Sequence, residues 1–251
     1  MYNTREELKE NIMKLITKML TTLVLASSIL PIGSAWAAEQ DEITYTLEMV
    51  EPTNSTVTDS VYGSSFADLA DHWAKNTVTQ LAGKGIISGV TDTSFEPDRN
   101  ITRAEFAKIL VGALNLNVEA NAVSSTFTDV KAGEWYTDAV TTAAKAKLID
   151  GYEDGTFRPN ASITREELSA MVIRALSFSD IASFVSVESQ GTLLAKYNDA
   201  DQIIWAQKEV AAALNAKIVQ GLTEDTLGTS KPATRAEAAT MIRRMMAYTA
   251  E

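Results

Sequence analysis

A Thr-Arg-x-Glu sequence occurs three times, as Thr102-Arg103-Ala104-Glu105, Thr164-Arg165-Glu166-Glu167 and Thr234-Arg235-Ala236-Glu237. Two of its positions do helix chemistry. A Thr hydroxyl ahead of a helix accepts from the third amide of the first turn, and a Glu at that third position reaches back to the Thr amide. Thr102 with Glu105, Thr164 with Glu167 and Thr234 with Glu237 are therefore read as capping boxes. Arg103, Arg165 and Arg235 are not explained this way. A cation at the first helical position faces the positive end of the helix dipole, at a cost of roughly 0.3–1 kcal/mol when exposed. A guanidinium beside free helix-start amides is also a receptor for a carboxylate or phosphate. The competing reading is a structural salt bridge to Asp68, Asp129 or Asp199, or to the acidic surface generally. Residue chemistry alone weights the two equally.

The motif belongs to a longer repeat. Phe66-Ala-Asp68, Phe127-Thr-Asp129 and Tyr197-Asn-Asp199 each open a segment, and Trp73, Trp135 and Trp205 follow. Sixteen residues after each Trp stands Gly89, Gly151 or Gly221, and thirty after it stands the Arg, with no insertion between. A Trp near the surface offers a flat face to a sugar ring, although a Trp at a helix start is more often packing. The Asp after each opening aromatic suits a helix cap or a turn better than a ligand contact. The Gly positions suit a positive φ or a close approach of another group.

These residues need elements to hold them. After each Trp, apolar residues such as Val78 and Leu81 predict an amphipathic helix that runs into an apolar pair, Ile86-Ile87 in the first copy. A turn-rich loop follows, with Asp154-Gly155 and Pro97 or Pro159. The capping box then opens a second helix with one apolar face: Phe106, Ile109, Leu110, Ala113 and Leu114 in the first copy. The third copy places Met241, Met245 and Met246 there as core filler. One such unit buries too little surface to be comfortable alone. The expected fold is all-α, with three repeats pooling their apolar faces around an approximate threefold pseudo-symmetry axis and with grooves between neighbours. Expected boundaries are 64–120, 121–183 and 184–251, with a longer connector over 177–196.

Composition narrows the function. The net charge of −11 disfavours nucleic acid and anionic membranes, which need a basic footprint. There is no Cys, one His and no nucleophile or metalloprotease motif, so no catalytic residue, metal or cofactor is assigned. Lys14 and Lys18, an apolar stretch from Met19 to Ile32 and Ala35-Trp36-Ala37 are ordered like a secretory leader over 1–37, with Met13 an alternative start. Residues 38–63 read as a spacer. The expected product is exported, acidic and not inserted in the membrane after cleavage.

Phe66-Ala-Asp68, Trp73-Ala74, Gly85-Ile86-Ile87-Ser88-Gly89, Asp154-Gly155-Thr156-Phe157-Arg158-Pro159 and Ile101-Thr102-Arg103-Ala104-Glu105 together resemble the S-layer homology family. The resemblance implies a pseudo-trimer that binds secondary cell-wall polysaccharides, frequently pyruvylated, through the grooves between units. It implies a cell-surface location, with peptidoglycan or surface-layer proteins as other partners. It also implies that Arg103, Arg165 and Arg235 meet the pyruvate carboxylate, and that the Trp, Gly and Asp positions line the grooves. Two departures stand out. The third copy has Leu227-Gly228-Thr229 in place of Gly-Thr-Phe-x-Pro, and Glu166 beside Arg165 is expected to weaken an anion site in the second copy.

Overall fold

In a computed structural model the described residues are 66–118, 127–179 and 184–249, so the expected leader and spacer lie outside them. Among the described residues there are seven α-helices and no strand, which makes the fold all-α. The first repeat contributes α1 (Lys75–Gly83) and α2 (Arg103–Ala113), and the second α3 (Thr137–Lys145) and α4 (Arg165–Phe178). The third contributes α5 (Val187–Leu194), α6 (Gln207–Asn215) and α7 (Arg235–Tyr248).

The capping-box helix of each repeat packs on the helix that follows the Trp of the next. Helix α2 lies against α3, α4 against α6, and α7 against α1. The last pairing joins the third repeat back to the first. Helices α2, α4 and α7 also touch one another and so hold the middle of the body. That central place explains a difference from the expected single apolar stripe. Ala104, Ala107 and Val111 of α2 are buried along with Phe106, Ile109 and Leu110, because a neighbour covers each flank. Met241 and Met245 lie in the core, as their register predicts.

The residues just before the capping boxes close the ring. Ile101 N–H donates to Ala233 O, Ala233 N–H to Ile163 O, and Ile163 N–H to Ile101 O. All three are fully buried, so each backbone amide left without a helix partner finds one in the preceding repeat, with the third repeat preceding the first around the ring.

The helix after each Trp, α1, α3 or α6, is followed by a left-handed residue, Gly85, Lys147 or Lys217. Such an end satisfies the last carbonyls of a helix, at little cost for Gly and more for Lys. The expected connector over 177–196 is partly helical: α4 continues to Phe178, and α5 begins where the Ser186 hydroxyl accepts from Ser189 N–H.

Gly89, Gly151 and Gly221 do not have positive φ. Their need is close approach. A Cβ on Gly151 would sit 2.5 Å from Phe127 Cε1 and 2.6 Å from Thr156 O. Gly191, inside α5, has nothing within 4 Å of that point. Gly151→Ala is therefore expected to lower unfolding free energy by about 1–3 kcal/mol through overpacking. Gly191→Ala should raise it by roughly 0.5–1 kcal/mol through helix propensity. Urea unfolding of both variants checks the opposite signs.

Candidate functional site

The capping boxes form at all three starts: Thr102, Thr164 and Thr234 accept from the amides of Glu105, Glu167 and Glu237, whose carboxylates accept from the Thr amides. Two further helix-start amides need partners in each repeat. Arg103 N–H donates to Ala161 O and Ala104 N–H to Pro159 O, both in the loop of the next repeat. Arg165 and Glu166 donate in the same way to Lys231 O and Thr229 O, and Arg235 and Ala236 to Arg99 O and Pro97 O. Every free amide of these helix starts is thus used inside the protein. An open set of helix-start amides for an anion, one of the two readings the residues left open, is not available there.

The arginines are spent in the same seams. Arg103, Arg165 and Arg235 are 4%, 4% and 5% exposed. Arg103 donates from Nη1 to Glu167 at 2.7 Å, from Nε to Phe157 O at 2.7 Å and from Nη2 to Asp150 O at 3.1 Å. Arg165 does the same with Glu237, Leu227 O and Gln220 O, and Arg235 with Glu105, Phe95 O and Ser88 O. Each guanidinium therefore binds the capping Glu of the next repeat. This accounts for a cation at a helix N-terminus: its charge is delivered to another helix, where a carboxylate already sits. The salt-bridge reading is the one the geometry favours, but with Glu partners rather than Asp68, Asp129 or Asp199.

Those aspartates hold the loops instead. Asp129 accepts from Phe157 N–H at 2.8 Å and Arg158 N–H at 2.7 Å, and Asp199 from Leu227 and Gly228 at 2.8 and 2.7 Å. Asp68 accepts likewise from Phe95 and Glu96. The second residue of each pair, Glu96, Arg158 or Gly228, has a positive φ of 57°, 57° or 64°. A carboxylate accepting both amides offsets the strain of a non-Gly residue in that conformation. Gly89, Gly151 and Gly221 make room for the Phe66, Phe127 and Tyr197 rings of the same loops.

The tryptophans differ from all of these. Trp73, Trp135 and Trp205 are 64%, 54% and 52% exposed. Each stands just ahead of the helix, α1, α3 or α6, that meets the preceding repeat. Cations from the preceding repeat face two of them. Lys108 Nζ of α2 lies 5.4 Å from the Trp135 ring, and Arg174 Cζ of α4 lies 5.8 Å from the Trp205 ring. His72 packs beside Trp73, with ring centres 5.2 Å apart. An exposed indole beside a cation can take the apolar face of a sugar and an acidic substituent at once.

The S-layer homology domain model matches residues 65–107, 126–169 and 196–239. The chain belongs to the S-layer homology family. It is 38% identical over 183 residues to an amylopullulanase of Thermoanaerobacterium thermosulfurigenes, covering 72% of this chain and 9% of the relative. It is 32% identical over 202 residues to an S-layer protein of Bacillus thuringiensis subsp. finitimus, covering 80% of this chain and 23% of that protein. The S-layer protein sap of Bacillus anthracis gives 31% over 202 residues, with the same coverage. The chain thus spans less than a quarter of the length of each of these relatives. Membership implies a cell-surface or cell-wall role.

The three S-layer homology repeats are not interchangeable. Glu166, expected to weaken an anion site, is buried and accepts from the amides of Trp205 and Ala206, both at 2.9 Å. It thereby fixes, across the seam, the two residues just ahead of α6. In the first repeat His72 Nδ1 takes the amide at the matching position, accepting from Ala74 N–H. Arg165 lacks an aromatic platform, since Leu227 stands where Phe157 and Phe95 lie under Arg103 and Arg235 at 4.7 and 4.4 Å. Arg99, which sequence reading passed over, adds a second guanidinium to Glu105 at 2.6 Å and so doubles the clamp that closes the ring.

These carboxylates set the acid limit. Burial opposes the charge of Glu105, but hydrogen bonds from Arg99 and Thr102 and the Arg235 charge outweigh it, so its carboxyl lies below its ordinary value. Asp68 lies below its ordinary value too, burial again being outweighed by the Phe95, Glu96 and Ser94 bonds. Depressed values stabilise the fold fully above the ordinary carboxylate range and are lost as pH falls through the folded-state values. The urea midpoint should stay level from neutral pH to about 5 and fall below about pH 4. A midpoint unchanged into strong acid would contradict this.

Proposed function

We propose that the chain is a non-enzymatic cell-envelope anchor that holds an anionic, pyruvylated wall polysaccharide at the grooves between its repeats. The observation that carries this is the triplet of exposed indoles at equivalent seam positions, two with a cation from the neighbouring repeat. The seam bonds run from the first repeat to the second, the second to the third and the third to the first, which supports a body of approximate threefold pseudo-symmetry. Trp73, Trp135 and Trp205 supply the sugar-facing surface. Lys108 supplies local positive charge at Trp135, and Arg174 holds its guanidinium beside Trp205 while also pairing with Asp150, so that a protein of net charge −11 meets an acidic polymer at local cations. Arg103, Arg165 and Arg235, with the Gly and Asp positions, shape the grooves from beneath. Repeats over 64–120, 121–183 and 184–251 behind a cleaved leader then form an exported, wall-bound module.

The test is co-sedimentation with purified cell walls, before and after removal of the wall polysaccharide and, separately, of its acidic substituents. Binding should disappear in the first case and weaken at least about tenfold in the second. Undiminished binding to walls stripped of polysaccharide would overturn the proposal, and would point to peptidoglycan or another envelope protein as the partner.

A further inference from the structure

We propose that a cleft within the third repeat binds a small oxyanion, a carboxylate or a phosphate, between Lys196 and Lys217. The cleft has a volume of about 180 Å³ and lies between the ends of α5 and α6. Lys196, Tyr197, Lys217 and Gln220 give it polar walls, and Leu193 and Leu214 an apolar one. At about 30 Å³ per water its volume equals roughly six waters, enough for a phosphate or a three-carbon acid. No carboxylate lines it, and among the described residues neither lysine has an ion-pair partner.

The other two repeats are the internal comparison. A lysine past a helix end is favoured by the dipole, and Lys147 occupies the place of Lys217, so Lys217 by itself indicates nothing. What is particular to the third repeat is the rest. In register, Lys196 replaces Thr126 and Ser65, Tyr197 replaces Phe127 and Phe66, and Gln220 replaces Asp150 and Ser88. Relative to the second repeat, each change adds a cation or a donor or removes an anion.

The Gln220 position matters most. In the second repeat Asp150 neutralises Arg174 at 2.8 Å. In the third, Arg244 donates at 3.0 Å to the Gln220 side-chain oxygen and at 3.3 Å to Ile218 O, with no carboxylate in reach. Because a guanidinium only donates, the Gln220 oxygen faces it, which leaves the amide NH2 with unused donors. Burial and then the like charges of Arg243 and Arg165 lower the Arg244 guanidinium from its ordinary value. A larger cleft, beside Lys131 and Arg158, lacks this character: Asp129 and Glu134 line it too, and Arg158 is bound to Asp154 at 3.0 Å. None of the lining residues is a seam tryptophan, and Gln220 meets the seam through its backbone carbonyl, which accepts from Arg165.

The experiment is calorimetric titration of the full chain at low salt with inorganic phosphate and, separately, with pyruvate. The wild type should bind at least one of them, and the stronger of the two identifies the oxyanion. Lys196→Gln with Lys217→Gln should weaken that binding at least about tenfold, and Gln220→Asp, which installs the second repeat's residue, should weaken it similarly. Trp205→Ala should bind as the wild type does. Urea midpoints of all variants should match the wild type, so that lost binding is not lost fold. Failure of the wild type to bind either ion at about 10 mM would overturn the proposal, as would wild-type binding by both cleft variants.

Discussion

Arg165→Ala should unfold at much lower urea than the wild type, with a loss of about 3–5 kcal/mol. The side chain is almost fully buried and serves three acceptors in the next repeat: Glu237, Leu227 O and Gln220 O. Truncation leaves a partly buried carboxylate without its cation and two carbonyls without donors, and the penalty comes mainly from those orphans. For a body of this size each kcal/mol moves the melting temperature by about 2–4 °C, so a fall on the order of 10 °C is expected. Arg235→Ala should cost less, because Arg99 stays on Glu105. Both variants should lose wall binding only as far as they lose the fold. A melting temperature equal to the wild type's, together with abolished binding, would return these arginines to a ligand-contact role.

The tryptophans should behave in the opposite way. Trp73, Trp135 and Trp205 are more than half exposed, so replacing each by Ala should change stability by no more than about 0.5 kcal/mol. If their faces carry the polymer, each truncation removes a large aromatic contact worth about 2 kcal/mol of binding, or roughly thirtyfold in affinity. The triple variant should then remain in the supernatant when walls are sedimented, with unaltered helical circular dichroism. Trp135 and Trp205, which have cations across the seam, should account for most of the loss. Raising salt should weaken binding at these two seams more than at Trp73, because screening acts on the charged partners.

The contrast between Arg and Trp shows what sequence reading can and cannot reach here. The Thr and Glu of each capping box interact three residues apart, so their spacing specifies their chemistry. The Arg partner lies 64 residues away for Arg103 and 72 for Arg165, across a seam that exists only after the repeats pack. Both candidate partners, an external carboxylate and an internal one, have the same chemistry, so residue type could not choose between them. Glu166 misled for the same reason. Beside Arg165 in sequence it looks like a local counter-charge, yet its carboxylate turns to the start of α6, about forty residues on. The signal that could have revealed it was the comparison of copies, since Ala104 and Ala236 stand at its position and His72 accepts from the corresponding amide in the first repeat. The fold class was legible because helix periodicity and caps are local. The close packing at Gly89, Gly151 and Gly221 was legible only as one of two options, and the φ angles decide it.

The central claim, that the polymer lies on the seam tryptophans while the arginines beneath only clamp the repeats, is tested most directly without disturbing the seams. In a Trp36→Phe background, fluorescence comes from the three seam indoles alone. Acrylamide should quench them efficiently in the free protein, as their exposure requires, and saturating wall polysaccharide should protect them severalfold. Undiminished quenching while the polymer is demonstrably bound would place the ligand elsewhere and contradict the account.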